Sequence, residues 1–180
     1  MSDFKTLSSK QVYQNKWMRV REDAIQRPSG AKGIYGVVEK PEFAIIIPRI
    51  GDDLILVEQF RYPVQQRSLE FPQGACESQP NIQPETLARQ ELREETGLVA
   101  GSMTHLSRQA VGIGFCDQWF NVFFATELEQ QHTERDEEEE DLAIVRLSIS
   151  DFEHRIMTGA IIDATTVNAF CLAKLQGYFA

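Results

Sequence analysis

The stretch from Pro84 to Gly97, PETLARQELREETG, leaves a chain little choice of local structure. Pro84 and Glu85 suit the first turn of a helix, Gly97 suits the position just past its end, and strong helix formers fill the interval. The sequence therefore predicts one helix over Pro84–Thr96. On such a helix Glu91 and Glu95 stand four apart and Glu94 stands three from Glu91, so three carboxylates crowd one side of about one turn. Leu87, Ala88 and Leu92 turn toward another side, where they can pack. Like charges at this spacing cost a helix about 0.2–0.5 kcal/mol per pair unless a cation sits among them. Two readings fit: a solvated acidic face, or a site for a hard divalent ion such as Mg2+, which takes carboxylate, water and substrate phosphate oxygens in preference to a closed protein cage.

The rest of the chain supplies strands around this helix. Lys5 to Tyr13 and Met18 to Ile25 read as two short strands with a turn at Asn15, and Pro28-Ser29-Gly30 then breaks the pattern. This opening piece is too small for a core of its own and must lean on the main domain or on another copy of itself. We divide the chain into an N-terminal strand-rich appendage, residues 1–30, and a main domain, residues 31–180. Ile34 to Glu39 reads as a strand, and Phe43 to Ile50 is a continuous apolar run suited to a strand covered on both faces. Gly51-Asp52-Asp53 turns the chain into Leu54 to Phe60, and Leu69 to Pro72 is a brief extended stretch.

Beyond the helix, His105 to Val111, Trp119 to Thr126 and Leu142 to Leu147 read as further strands. Gly112 to Asp117 lacks the third glycine of a dinucleotide-binding loop and reads either as a loop lining the substrate or as a tight turn. A short helix capped by Ser150 or Asp151 ends at Gly159, and Asp163 caps a last helix over Ala164 to Gln176. Strands, helix, strands and helices in this order argue an α/β sandwich with a mixed sheet.

Arg61 and Arg67 are the basic residues just upstream of the carboxylate helix. Arginine suits bidentate phosphate binding, and surface arginine in a loop is ordinarily solvated. The net charge of −9, without a lysine or arginine block, argues against broad nucleic-acid binding. A phosphate-bearing substrate would meet an acidic protein, which favours a bridging cation. Cys76, Cys116 and Cys171 share no metal-ligand spacing and read as reduced thiols. No apolar signal region or membrane-length run appears, so the expectation is a cytoplasmic protein without membrane contact.

The stretch Gln90-Glu91-Leu92-Arg93-Glu94-Glu95-Thr96-Gly97-Leu98 resembles the box of the Nudix hydrolases, matching all of its tail after the first position. The front half departs from it. Gly74 lies sixteen positions before Gln90 where the box has fourteen, Ile82 stands where the box has an upstream Glu, and Gln90 replaces its Arg. Further segments resemble the ADP-ribose pyrophosphatase branch: Val20-Arg21-Glu22-Asp23 with Pro28 and Gly30, Glu58 to Pro63, Leu69 to Gly74 with Gln73 in place of Ala, and Gly159 to Thr166.

This resemblance implies a Nudix-type α/β/α sandwich and Mg2+, or Mn2+ in its place, held by Glu91 and Glu95 with Glu94 assisting and with the backbone carbonyl of Gln73 as a further contact. It also implies that Arg61 and Glu70 contact the nucleotide or the second sugar, and that Glu138 or Glu140, within the acidic run Glu134 to Asp141, orients or deprotonates the attacking water. The same acidic run reads equally as a solvated loop. A homodimer packed through the N-terminal strands is implied as well. The expected reaction is cation-dependent cleavage of the diphosphate in a nucleoside diphosphate sugar, ADP-ribose giving AMP and ribose 5-phosphate. A GDP-hexose or UDP-hexose as substrate, and a module that senses a nucleotide without cleaving it, are the alternatives.

Overall fold

A computed structural model describes residues 3–76, 78–79, 81–131 and 141–179. The N-terminal part is a three-stranded antiparallel sheet of β1 (Lys5–Gln14), β2 (Arg19–Gln26) and β3 (Lys32–Glu39), in that spatial order. The turn between β1 and β2 forms because the Asn15 side-chain oxygen accepts from the backbone N–H of Trp17 at 2.9 Å and of Met18 at 2.8 Å, an Asx turn. At the next turn Gly30 takes φ +87°, which glycine adopts without strain. The chain then returns as β3, so the small sheet runs past Pro28–Gly30 to Glu39. Arg19 and Arg21 of β2 both reach Glu39, tying its last strand down.

The second sheet contains β4 (Phe43–Ile50), β5 (Asp53–Arg61), β6 (Gln66–Glu70), β7 (Gln73–Gly74), β8 (Leu98–Ala110), β9 (Trp119–Gln130) and β10 (Ala143–Ser148). Its main order is β10-β5-β4-β9-β8, with β6 against β5 and β7 against β4. The β4–β9 pair is parallel and the rest are antiparallel, so the sheet is mixed, as expected. Helix α1 (Pro84–Thr96) covers one face, and α2 (Ile149–Met157) and α3 (Ala164–Leu175) cover the other. Alternation along β4 shows why its apolar run is unbroken. Ala44 and Ile46 pack with Leu87, Ala88 and Leu92 of α1, while Ile45 and Ile47 pack with Phe152, Ala169 and Phe170 of α2 and α3.

Helix α1 has the expected bounds. It starts at Pro84 and ends where Gly97, at φ +71°, donates its N–H to Arg93 O at 2.7 Å. Two local expectations are corrected. Strand β8 begins at Leu98, not His105, because antiparallel pairing with β9 from Leu98↔Gln130 to Ala110↔Trp119 organises a segment that lacks a clear alternation of its own. The cap of α2 is Ser148 and not Ser150 or Asp151: β10 passes directly into the helix, and Ser148 Oγ accepts from Asp151 N at 3.1 Å. Asp163 caps α3 as expected, accepting from Thr166 N at 2.8 Å. No helix among the described residues is long and apolar enough to cross a membrane.

Candidate active site

The site is made where β4 and β5 part company. These strands pair directly only at Arg49↔Leu54 and Ile50↔Asp53, beside their hairpin turn. Residues Leu69 to Gly74 fill the wedge between them. β6 pairs with β5 through Val57↔Glu70, Pro72 O accepts from Ile46 N at 2.9 Å, and β7 pairs with β4 through Ile45↔Gln73 and Ala44↔Gly74. The Phe71 N–H donates to the Thr166 hydroxyl at 3.0 Å, fastening the crossing to the start of α3. The inserted segment thus lies against both α1 and α3, and a cleft of about 1040 Å3 opens over it.

Glu91, Glu94 and Glu95 all line this cleft. They do not form the solvated acidic face that spacing alone allows: Glu91 is 8% exposed and Glu95 1%. Glu95 Oε2 accepts from the backbone N–H of Gln73 at 3.2 Å. The Glu91 carboxylate is pressed onto Gly74, where a Cβ would lie within 2.8 Å of each of its three terminal atoms. Glycine is required there for close approach, not for its backbone angle. Among the described residues no three His, Cys, Asp or Glu side chains are gathered so as to hold an ion by themselves.

Arg61 at the end of β5 reaches Glu70 of β6 in a bidentate pair, Arg61 Nε donating to Glu70 Oε1 at 2.8 Å and Nη2 to Oε2. Both line the cleft, and Glu70 is only 2% exposed. The hydrogen bond to Glu70 holds the Arg61 proton more tightly than usual, outweighing partial burial. Arg67 lies elsewhere. Its guanidinium is engaged by Glu58 Oε2 at 3.0 Å, Asp141 Oδ2 at 3.0 Å and Asp141 O at 3.1 Å, and it is not among the residues lining the cleft. Glu138 and Glu140 lie outside the described residues.

The cleft also gathers residues that local sequence patterns did not point to. Asp163 and Thr165 line it, although Asp163 reads in the sequence simply as a helix cap. Burial pushes the Asp163 carboxyl up, but donors from Thr165, Thr166 and Gln73 outweigh it and leave Asp163 below the ordinary aspartate range. Lys16, Trp17 and Lys40 also line the cleft and arrive there through the small N-terminal sheet, with no local signal to mark them. The Gly112–Asp117 loop contributes through its flanks, Val111 and Gln118. Its middle is strapped to β3 by Val38 N to Phe115 O at 2.8 Å and Asp117 N to Val38 O at 3.0 Å. Ile82, in the position where the box resemblance expects Glu, packs against the apolar cluster under α1, so this part of the loop is braced by apolar contact.

Comparison with known proteins fits this geometry. One family model, described as the NUDIX domain, matches residues 39–164, and another, described as the nucleoside diphosphate sugar hydrolase N-terminal domain, matches residues 4–38. The chain is 27% identical to an ADP-ribose pyrophosphatase of Bacillus subtilis, over 96% of this chain and 93% of that protein. It is 29% identical to an ADP-ribose pyrophosphatase of Mycobacterium tuberculosis, over 92% and 80% of the two chains. A crystal structure of an ADP compounds hydrolase superposes with a TM-score of 0.86 at 22% identity, covering 98% of this chain and 97% of the other, and shows that the fold is shared.

Proposed function

We propose that this chain, which belongs to the NUDIX family, cleaves the diphosphate of a nucleoside diphosphate sugar with a divalent cation, ADP-ribose giving AMP and ribose 5-phosphate. One observation carries the reading: the three glutamates of α1 and the Arg61–Glu70 pair line a single cleft. The names of the relatives from Bacillus subtilis and Mycobacterium tuberculosis support ADP-ribose as the substrate.

The donor set suits Mg2+ or Mn2+. Mg2+ is ordinarily held by one or two carboxylates, with waters and substrate phosphate oxygens completing its shell, so a closed cage of three carboxylates is not needed. Glu91 and Glu95, with Glu94 assisting and the Gln73 carbonyl, would hold the ion; the missing Cβ at Gly74 lets the Glu91 carboxylate lie against the backbone beside it. When bound, the cation supplies neutralisation of the diphosphate charge and greater acidity of water. Arg61, fixed by Glu70, orients the nucleotide or second sugar. The exposed indole of Trp17, with the Lys16 ammonium over one face at 4.4 Å, lines the same cleft and offers its other face to a base. A carboxylate of the acidic run, Glu138 or Glu140, takes the proton of the attacking water.

The same reading includes a cytoplasmic homodimer. β1 is exposed along its whole length, and Phe4, Leu7, Val12, Tyr13, Ile34 and Tyr35 of the N-terminal sheet leave apolar surface in water, which a second copy would cover. The activity test is a panel of ADP-ribose, GDP-hexose and UDP-hexose with Mg2+, with and without chelator, run beside Glu95→Gln. Chelator-sensitive release of AMP from ADP-ribose, largely lost in the variant, supports the proposal. Binding without cleavage of any of the three would overturn it in favour of a sensing module.

A further inference from the structure

Gln73 touches three parts of the site at once. Its side-chain Nε2 donates to Glu70 Oε2 at 2.8 Å and reaches Asp163 Oδ2 at 3.3 Å, while its Oε1 lies 3.1 Å from Thr165 Oγ1, sharing the hydroxyl proton with Asp163 Oδ2 at 2.6 Å. Its backbone N–H donates to Glu95 Oε2 at 3.2 Å. One residue on a two-residue strand is therefore bonded to β6, to the carboxylate helix α1 and to the start of α3.

The chemistry of this position is narrow. Two carboxylates approach the side chain from one side and a hydroxyl donor from another, so a neutral group with two N–H donors and one acceptor satisfies all three. Glutamate would place a third carboxylate beside Glu70 and Asp163. Methionine would fill the volume but leave both without this donor. Alanine would in addition leave the volume of the side chain unfilled.

We propose that the Gln73 side chain is a positioning residue, locking residue 73 between Glu70 and the α3 N-terminus so that its backbone holds Glu95 in register with the substrate-facing Arg61–Glu70 pair. This goes beyond the backbone contact considered for Gln73 above, and it rests on the proposed cation-dependent hydrolysis. Groups that orient ligating residues in this way commonly change metal affinity or activity by about 10- to 100-fold when removed. Loosening Gln73 should act on the cation side and on the chemical step more than on substrate capture.

The test compares wild type, Gln73→Met and Thr165→Val by three measurements: Mn2+ binding followed by electron paramagnetic resonance without substrate, turnover and KM for ADP-ribose at saturating Mg2+, and thermal melting. In folded Gln73→Met, Mn2+ binding should weaken on the order of 10-fold and kcat should fall about 10- to 100-fold with KM nearly unchanged. Thr165→Val, which removes the one hydroxyl proton shared between Asp163 Oδ2 at 2.6 Å and Gln73 Oε1 at 3.1 Å, should move both quantities in the same direction by less. It decides the matter alone if Gln73→Met does not fold. Mn2+ affinity and kcat within twofold of a competent wild type would overturn the positioning role while leaving the proposed function standing. A wild type that neither binds Mn2+ nor cleaves ADP-ribose would overturn that function, and this inference with it.

Discussion

The Glu91 carboxylate lies against the backbone of Gly74, in space that any other residue would fill with its Cβ. A position on α1 and a position on β7, seventeen residues apart in the chain, are thereby matched to within the width of one methyl group.

Gly74→Ala should consequently displace the Glu91 carboxylate by an ångström or more while leaving the fold intact, since the displaced atoms end a flexible side chain. Misplacement on this scale costs on the order of 10² in rate when the group acts at the reacting centre. The expected result is a cooperative melt close to that of wild type with turnover of ADP-ribose down about 100-fold. Unchanged turnover would remove Glu91 from the site.

Arg61→Ala should destabilise the protein as well as impair it. Glu70 is almost wholly buried, and losing its bidentate partner leaves Gln73 as its remaining side-chain donor among the contacts described. A buried acceptor left short of partners costs about 1–3 kcal/mol. Urea denaturation should show a loss of that size, and Arg61→Ala combined with Glu70→Gln should recover part of it, because the buried charge is then gone.

Asp163 makes stability depend on acid pH. Its carboxyl is buried, which raises its pKa, but the donors from Thr165, Thr166 and Gln73 win and set it below the ordinary value of 3.8. In the window between the lowered folded value and 3.8 the unfolded chain binds more protons, so stability rises with pH. The contribution is fully present above 3.8 and disappears as pH falls through the folded value. Thermal melts of wild type and Asp163→Asn should therefore differ most above the unfolded value of 3.8 and converge as the pH is lowered through the folded value. A constant difference across that range would contradict the assignment.

Glu138→Gln and Glu140→Gln separate the two readings of the acidic run. A carboxylate acting as general base should cost on the order of 10² to 10⁴ in turnover on removal, with little change in KM. Losses below tenfold at both positions would make the run a solvated loop. The search for the base would then move to Glu91, Glu94 and Glu95.

Assembly can be read by sedimentation. Leu7→Lys with Ile34→Lys charges the exposed apolar surface of the N-terminal sheet without touching the buried core. A shift from dimer to monomer with the folded far-UV spectrum retained is the expected outcome. A dimer that survives places the interface elsewhere.

Which parts of this protein were legible in the chain follows from how far apart the deciding residues lie. Helix α1 could be read to its last residue because Pro84 starts it, Gly97 stops it and the formers between them act locally. The apolar run of β4 announced a strand covered on both faces, and the turns at Asn15, Gly30 and Gly51 are built by their own residues. Spacing on α1 likewise brought three carboxylates to one side without reference to any partner.

Tertiary structure decided how those groups are used. The burial of Glu91 and Glu95 depends on Leu69–Gly74 entering the wedge between β4 and β5, which no window of sequence around α1 contains. By residue type alone the two upstream arginines are alike, and the fold separates them: Arg61 pairs with Glu70 on the cleft, and Arg67 with Glu58 and Asp141 away from it. Asp163 became a cleft residue, and Gln73 a junction, through hydrogen bonds spanning about ninety positions of the chain. The full length of β8 was settled by its pairing with β9. Periodicity and caps report forces between near neighbours, whereas burial, charge pairing and strand register are set by whichever distant segment the fold brings alongside.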